Sequence, residues 1–397
     1  MNILFLSRWF PYPPDNGSKV RIYNLLRILA RNHQVTLLSF NDQPEKPAEV
    51  DGLKNVCAEI VIVPWKDYQP TSIRAVFGLL SSTPRALIDT FSPEMAAKIR
   101  QLTIENQFAL IIASQIEMAS YRPYWGTHTA IFEEVEVGVP LGRRKNSKTF
   151  LSRLRNDLTW QKHKYYLAQL LKNFPLCTVV SDEENKLLQE TGIREQGMVV
   201  VPNWINLEDY TDFLTPQKQN TIIFTGSFRY KPNYEAMVWF IGKVFPAILE
   251  HFPDIQLIIT GDHLNLPLPA QKNVLLTGYL DDIRPIIASA AVSIVPLRSG
   301  GGTRLKILEA MALRTPVVST PKGAEGICIK DGKDILIADT PLMFAQSVIT
   351  LLRDTQLRDK LVDNGFNLIR EKYSTEAIAF QVNTLLNQLP SISTLRS

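Results

Sequence analysis

The apolar positions of this chain switch between two periods. Residues 2–7 carry the unbroken run Ile3, Leu4, Phe5, Leu6, which predicts a parallel strand buried on both faces. A loop from Arg8 to Lys19 follows, where Pro11, Pro13, Pro14 and Asn16-Gly17 exclude regular structure. Ile22, Leu25, Leu26 and Leu29 then recur at core spacing and predict a helix over 21–31, ahead of a strand over 35–40. A strand–helix–strand start of this kind implies a doubly wound parallel sheet. Further strands are expected over 59–63, 110–113, 130–132 and 177–180, and Ser181 before Asp182, Glu183 and Glu184 predicts a helix N-cap. The pattern restarts with a strand over 220–226 and a helix after Pro232. Strands are then expected over 255–260, 274–277, 292–297 and 315–319, with helices from 305 and after Ala338-Asp339-Thr340-Pro341 and a terminal helix over 375–389. Residues 207–219 are acidic to polar, contain Pro216 and show no period, so they read as a linker between domains at 1–206 and 220–374.

Composition narrows the class. A chain of 397 residues with 45% hydrophobic and 21% charged residues is that of a globular protein with room for two domains. A net charge of +4 is too mild to point to nucleic acid, and no nucleic-acid motif accompanies it. Cys57, Cys177 and Cys328 are scattered, which argues against a disulfide framework or a structural zinc site and fits a reducing compartment. The first apolar run is short, lacks a basic flank and is closed by Arg8, so it does not read as a signal peptide. No run is long enough for a membrane-spanning helix, and a cytoplasmic location is expected. Residues 143–172 stand apart: nine Lys and Arg face the single acid Asp157, with Phe150, Leu151, Leu154, Leu158, Trp160, Tyr165, Tyr166 and Leu170 interleaved. This is one long or broken amphipathic basic helix. It suits peripheral contact with an anionic membrane at its inner face, an acceptor carrying phosphate, or equally a helix packed on its domain with a solvated basic face.

The candidate chemistry centres on the turn between the strand over 292–297 and the helix from 305. Gly300, Gly301, Gly302 and Thr303 let backbone amides approach a ligand, and the helix start adds unpaired amides and partial positive charge. A phosphate or diphosphate is the expected guest. Arg304 and Lys306 lie in the first helical turn, where cations oppose the dipole, which suggests an anion between them. Glu309 shares a face with Lys306 and lies where a carboxylate can accept from two neighbouring ribose hydroxyls; the simpler alternative is a surface ion pair between the two. Arg229 and Lys231 precede another helix start and are lesser candidates for the same diphosphate. At the ends of the first domain's strands, Gly17 occupies the first loop, and Glu117, Glu134 and Glu136 are candidates to orient an acceptor hydroxyl, or are solvated loop acids.

The run from Gly301 to Ala312, followed by Thr315-Pro316-Val317-Val318-Ser319-Thr320, resembles the nucleotide-sugar-binding motif of GT-B glycosyltransferases of the family 4 type. It is closest to their sugar transferase subgroup with Gly-Thr-Arg-Leu-Lys. The wider family places two glutamates around this helix; the second is Glu309 here, and the first is replaced by Gly301. The resemblance implies two Rossmann-like domains with parallel sheets facing a central cleft, and a terminal helix crossing back to the first domain. It implies Gly17 facing the donor phosphates and the loop at Tyr279 and Leu280 holding the nucleobase through main chain. It also implies retaining transfer from a nucleoside diphosphate sugar, such as a UDP- or GDP-sugar, to an acceptor glycan, lipid-linked glycan or small molecule, with no metal or other cofactor. The leaving diphosphate's charge would be met by Arg304 and Lys306. A nucleotide-sugar epimerase of the same fold and a non-catalytic nucleotide-sugar-binding protein are the alternatives the sequence leaves open.

Overall fold

The computed structural model describes residues 1–145, 149–193, 198–213, 218–301 and 304–393. Contacts cluster into two compact units, Met1–Pro202 with the C-terminal stretch from Ala379, and Asn203–Ile378.

The first unit is built on the strands β1 (Asn2–Ser7), β2 (Gln34–Asn41), β3 (Glu59–Pro64), β4 (Leu110–Ser114), β5 (Ala130–Glu133), β6 (Leu176–Val179) and β7 (Met198–Val200). They pair in the order β3-β2-β1-β4-β5-β6-β7, all parallel. Ile3, Leu4, Phe5 and Leu6 are fully buried, as a central parallel strand covered on both faces requires. The second unit holds β8 (Lys218–Thr225), β9 (Gln256–Thr260), β10 (Val274–Gly278), β11 (Ala290–Val295), β12 (Val317–Ser319) and β13 (Leu336–Ile337), in the order β10-β9-β8-β11-β12-β13 and again all parallel. Each sheet reverses its winding once, between β1 and β4 in the first and between β8 and β11 in the second. In open α/β sheets the crevice at the carboxyl ends of such a pair is where ligands bind.

Two elements differ from the pattern-based expectation, and the basic stretch takes the broken form of the two it left open. The first helix begins at Gly17, not at 21, because the Asn16 side chain accepts from the Lys19 amide and caps it at once. Gly17 is therefore an exposed first-turn residue and not the apex of a loop. The basic stretch is two helices, Gly138–Lys145 and Phe150–Leu171, the second opened by Thr149 and Ser152 in reciprocal capping. Part of the expected linker is ordered: Leu207–Tyr210 is a 3-10 turn, and β8 starts at Lys218. Ser181, in contrast, caps Asp182–Glu190 as its sequence predicts, accepting from the Glu184 amide at 3.2 Å.

Candidate functional site

In the second unit the reversal point brings three segments together. Directly after β8 comes Gly226, which has a φ of 147°. A Cβ at Gly226 would lie 2.9 Å from the Lys306 ammonium and 2.6 Å from the Asn233 amide nitrogen, so only glycine lets this turn pass so close. Lys306 extends from the helix Leu305–Ala312 to donate to Asn233 Oδ1 at 3.0 Å, with its Nζ 4.3 Å from the centre of the Phe224 ring. Among the described residues no carboxylate stands within ion-pair distance of it. Burial, and secondarily the charge of Arg304, push the ammonium down to about 7 against a partial pull from Glu309.

Glu309, one turn on, is not paired with Lys306. Its Oε1 accepts from the Tyr210 hydroxyl at 3.3 Å. Burial raises the Glu309 carboxyl, while the Tyr210 hydroxyl, Lys306 and Arg284 hold it down. Tyr210 is raised well above the usual phenol range by burial and then by Glu309, so it stays a donor. Arg284 closes the group, donating to both oxygens of Asp282 and to the Asp209 carbonyl.

Arg304 stands differently from its sequence-based role. Its guanidinium is buried and donates to the carbonyls of Gly301 (2.5 Å), Gly300 (3.1 Å) and Lys322 (3.2 Å). The Gly301 amide is also engaged, donating to the Tyr230 hydroxyl at 3.1 Å. Gly300 has a φ of 97° and would drive a Cβ into that hydroxyl. The glycine turn thus shows its carbonyls to Arg304 and one amide to Tyr230. Gly302 and Thr303 lie outside the described residues. Arg229 and Lys231 are exposed and paired with Asp262 (2.7 Å) and Glu235 (3.2 Å). Tyr279 is exposed and Leu280 half-buried in the loop after β10, which Gly278 turns with a φ of 73°.

The first unit has its own polar cluster at the β1/β4 reversal. Gln115 and Glu134, directly after β4 and β5, both hold left-handed backbone, with φ of 69° and 61°. Such strain in non-glycine residues is kept only where the surroundings enforce it, and it concentrates at functional sites. Their side chains meet, Gln115 Nε2 donating to Glu134 Oε2 at 3.0 Å, with Ser18 Oγ at 3.4 Å on the other side. Beneath them Glu133 is bound by Arg21 Nε (2.6 Å) and Ser114 Oγ (2.8 Å), and Arg21 also donates to the Val201 carbonyl. Burial pushes the Glu134 carboxyl well up, Glu133 pushes further, and Arg21 opposes. Glu117 is likewise raised by burial and partly held down by Arg8, whose guanidinium lies over the Trp65 ring. Glu136 is exposed. Gln115, Arg21, Asn233 and Tyr210 carry no motif; only contacts across distant segments reveal them.

The raised Glu134 has a consequence for stability. Its folded form keeps a proton that the unfolded chain releases, so stability falls as pH climbs from the ordinary carboxylate range through the raised value. Glu134→Gln removes that loss. The thermal midpoint should rise by a few degrees near pH 8 and by much less near pH 5. A difference that does not change with pH would contradict it.

Two family models match the chain: "Glycosyltransferase Family 4" over residues 15–209 and "Glycosyl transferases group 1" over residues 219–354. An uncharacterized 44.6 kDa protein in the cps region of Klebsiella pneumoniae is 26% identical over 389 residues, 95% of this chain and 97% of that protein. The phosphatidyl-myo-inositol mannosyltransferase of Mycobacterium leprae is 27% identical over 46% of this chain and 52% of its own. Among solved structures, Anabaena HepE in complex with UDP-glucose superposes with a TM-score of 0.65 at 15% identity, over 98% of this chain and 100% of that one. The likeness of the two parallel-sheet units to such structures makes this the GT-B fold.

Proposed function

Because the chain belongs to the group 1 and family 4 glycosyltransferases, we propose that its donor is a nucleoside diphosphate sugar, with the diphosphate seated against Lys306 at the β8/β11 reversal. The observation that carries this reading is the cation itself. A half-buried ammonium held by an amide oxygen and an aromatic face, with no carboxylate partner among the described residues, is costly until an anion arrives. A diphosphate relieves that cost, and its charge grows as the glycosidic bond breaks, so the same cation favours the transition state more than the ground state. On this reading the Lys306 ammonium, rather than a metal, meets the leaving group. Glu309, with Tyr210 fixing its carboxylate, faces the ribose hydroxyls.

The acceptor hydroxyl belongs at the Gln115–Glu134 cluster of the first unit, where strained backbone aims two polar side chains off the strand ends. We propose retention at the anomeric carbon, a reading that the resemblance to the family supports. That HepE was solved with UDP-glucose supports the donor class and leaves the base of this chain's own donor to be read by experiment.

The test is a thermal-shift and calorimetric screen of UDP, GDP and their sugars. One nucleoside diphosphate should raise the melting point by mass action, and Lys306→Met should abolish the rise. The reading is lost if no nucleotide in the panel binds, or if Lys306→Met binds as the parent does.

A further inference from the structure

The segment before β4 is built inside out. Within residues 71–88 the charged side chains are Arg74 and Arg85 alone. Its interior contacts are polar: Asp89, fully buried, accepts from the Gln69 amide, Ser72 Oγ and Lys66, while Arg85 donates to the carbonyls of Ala75 and Pro70. Its outer surface is apolar. Ile73 is 76% exposed, Phe77 70%, Leu79 55% and Leu80 92%. A polar scaffold that holds large apolar side chains outward is the reverse of what a free surface favours.

A second apolar stripe meets the first. On the helix Phe150–Leu171, Phe150, Leu154 and Leu158 are all exposed at four-residue spacing, one face of the helix. The next position on that face is Lys162, and its ammonium donates to the carbonyls of Gly78 (3.2 Å) and Leu79 (2.5 Å). The stripe therefore ends against the turn that carries Leu79 and Leu80, and the two apolar sets form one patch. Its flanks are basic: Arg74, Arg153 and Arg155 are exposed beside it, and the helix's acid, Asp157, is bound by Arg144.

We propose that this patch docks the protein on an anionic lipid bilayer, with Phe77, Leu79 and Leu80 entering the acyl boundary and the arginines meeting headgroup phosphates. Charge complementarity selects the occupant. Apolar side chains rimmed by cations and almost no acids match a negatively charged lipid interface, whereas a second copy would place those cations against identical charge. No described helix is long and apolar enough to cross a membrane, so the contact is peripheral. The inference is independent of the donor reading, because it concerns residues outside both polar clusters and is measured without nucleotide.

The test is flotation of the full chain with phosphatidylcholine vesicles, with and without phosphatidylglycerol. The parent should float with the anionic vesicles only and be released by salt. Phe77→Ser with Leu80→Ser, and separately Arg153→Ser with Arg155→Ser, should each weaken binding by about tenfold or more. Both variants should keep the parent's melting point and nucleotide-induced shift, since these side chains are exposed and away from the donor site. The proposal is overturned if the parent stays with neither vesicle, if it floats equally with both, or if the Phe77/Leu80 variant floats as well as the parent. It is also overturned if light scattering shows a dimer that the Leu80 substitution dissolves.

Discussion

Lys306→Ala is expected to lower turnover about 100- to 1000-fold, the usual effect of removing one preorganised group from a developing negative charge. The fold should survive and gain stability. The folded ammonium is held down to about 7 against the ordinary lysine value of 10.5, so in that window the unfolded chain binds more protons and stability rises with pH. At and below neutrality the folded protein bears the full cost of the half-buried charge. Lys306→Met should therefore melt a few degrees higher than the parent near pH 6, with the difference fading above about pH 10. The donor dependence follows the same group. The free enzyme binds a diphosphate best with Lys306 charged, so kcat/KM for the donor should fall as pH rises past about 7, while kcat, read with the anion bound, falls at higher pH. Lys306→Arg should move the fall in kcat/KM out of the neutral range, because a guanidinium keeps its charge. A structural lysine would give a different result: a variant that melts lower and transfers sugar at the parent rate.

The strands were readable because parallel strands covered on both faces need nearly continuous apolar runs; Ile3–Leu6 is one, and Ala290–Val295 is broken only at Ser293. The helix start at Gly17 was hidden by the prolines before it, although Asn16 two residues after Pro14 is an ordinary capping signal. The positions of Lys306 and Glu309 on one helix face follow from their spacing. Their partners do not: Asn233 and Tyr210 reach them from elements 73 and 99 residues away in sequence. The left-handed backbone at Gln115 and Glu134 is equally silent in the sequence, because neither residue type favours it and only the packing around the strand ends imposes it. The exposed 73–80 surface went unread for a related reason. Alone, Ile73, Val76, Phe77 and Leu80 have the spacing of a core-facing helix, and which way that face turns depends on Asp89 and Arg85.

Arg304 separates two ways of serving the same reaction. Reading the turn as a cradle of inward amides makes its guanidinium a diphosphate ligand. The structure shows the two terminal nitrogens of the guanidinium donating to three carbonyls while Nε has no partner, and that grip makes it the clamp that shapes the turn beside Lys306. Arg304→Ala would take the guanidinium's donors from those half-buried carbonyls, leaving that of Gly301 with the Tyr230 hydroxyl, and should cost about 3 kcal/mol, a fall of roughly 10 °C in the melting point. Donor KM should rise with it, because the Gly300–Gly301 turn loses its shape. Arg304→Lys should recover little of either, since one ammonium cannot span three carbonyls as a planar fork does. The contrast with Lys306→Ala is the test: that variant is stable and slow, while Arg304→Ala is unstable and binds donor poorly. If Arg304→Ala instead melts with the parent and loses turnover as Lys306→Ala does, the guanidinium acts on the donor itself, and the turn holds its shape by the Tyr230 contact to Gly301.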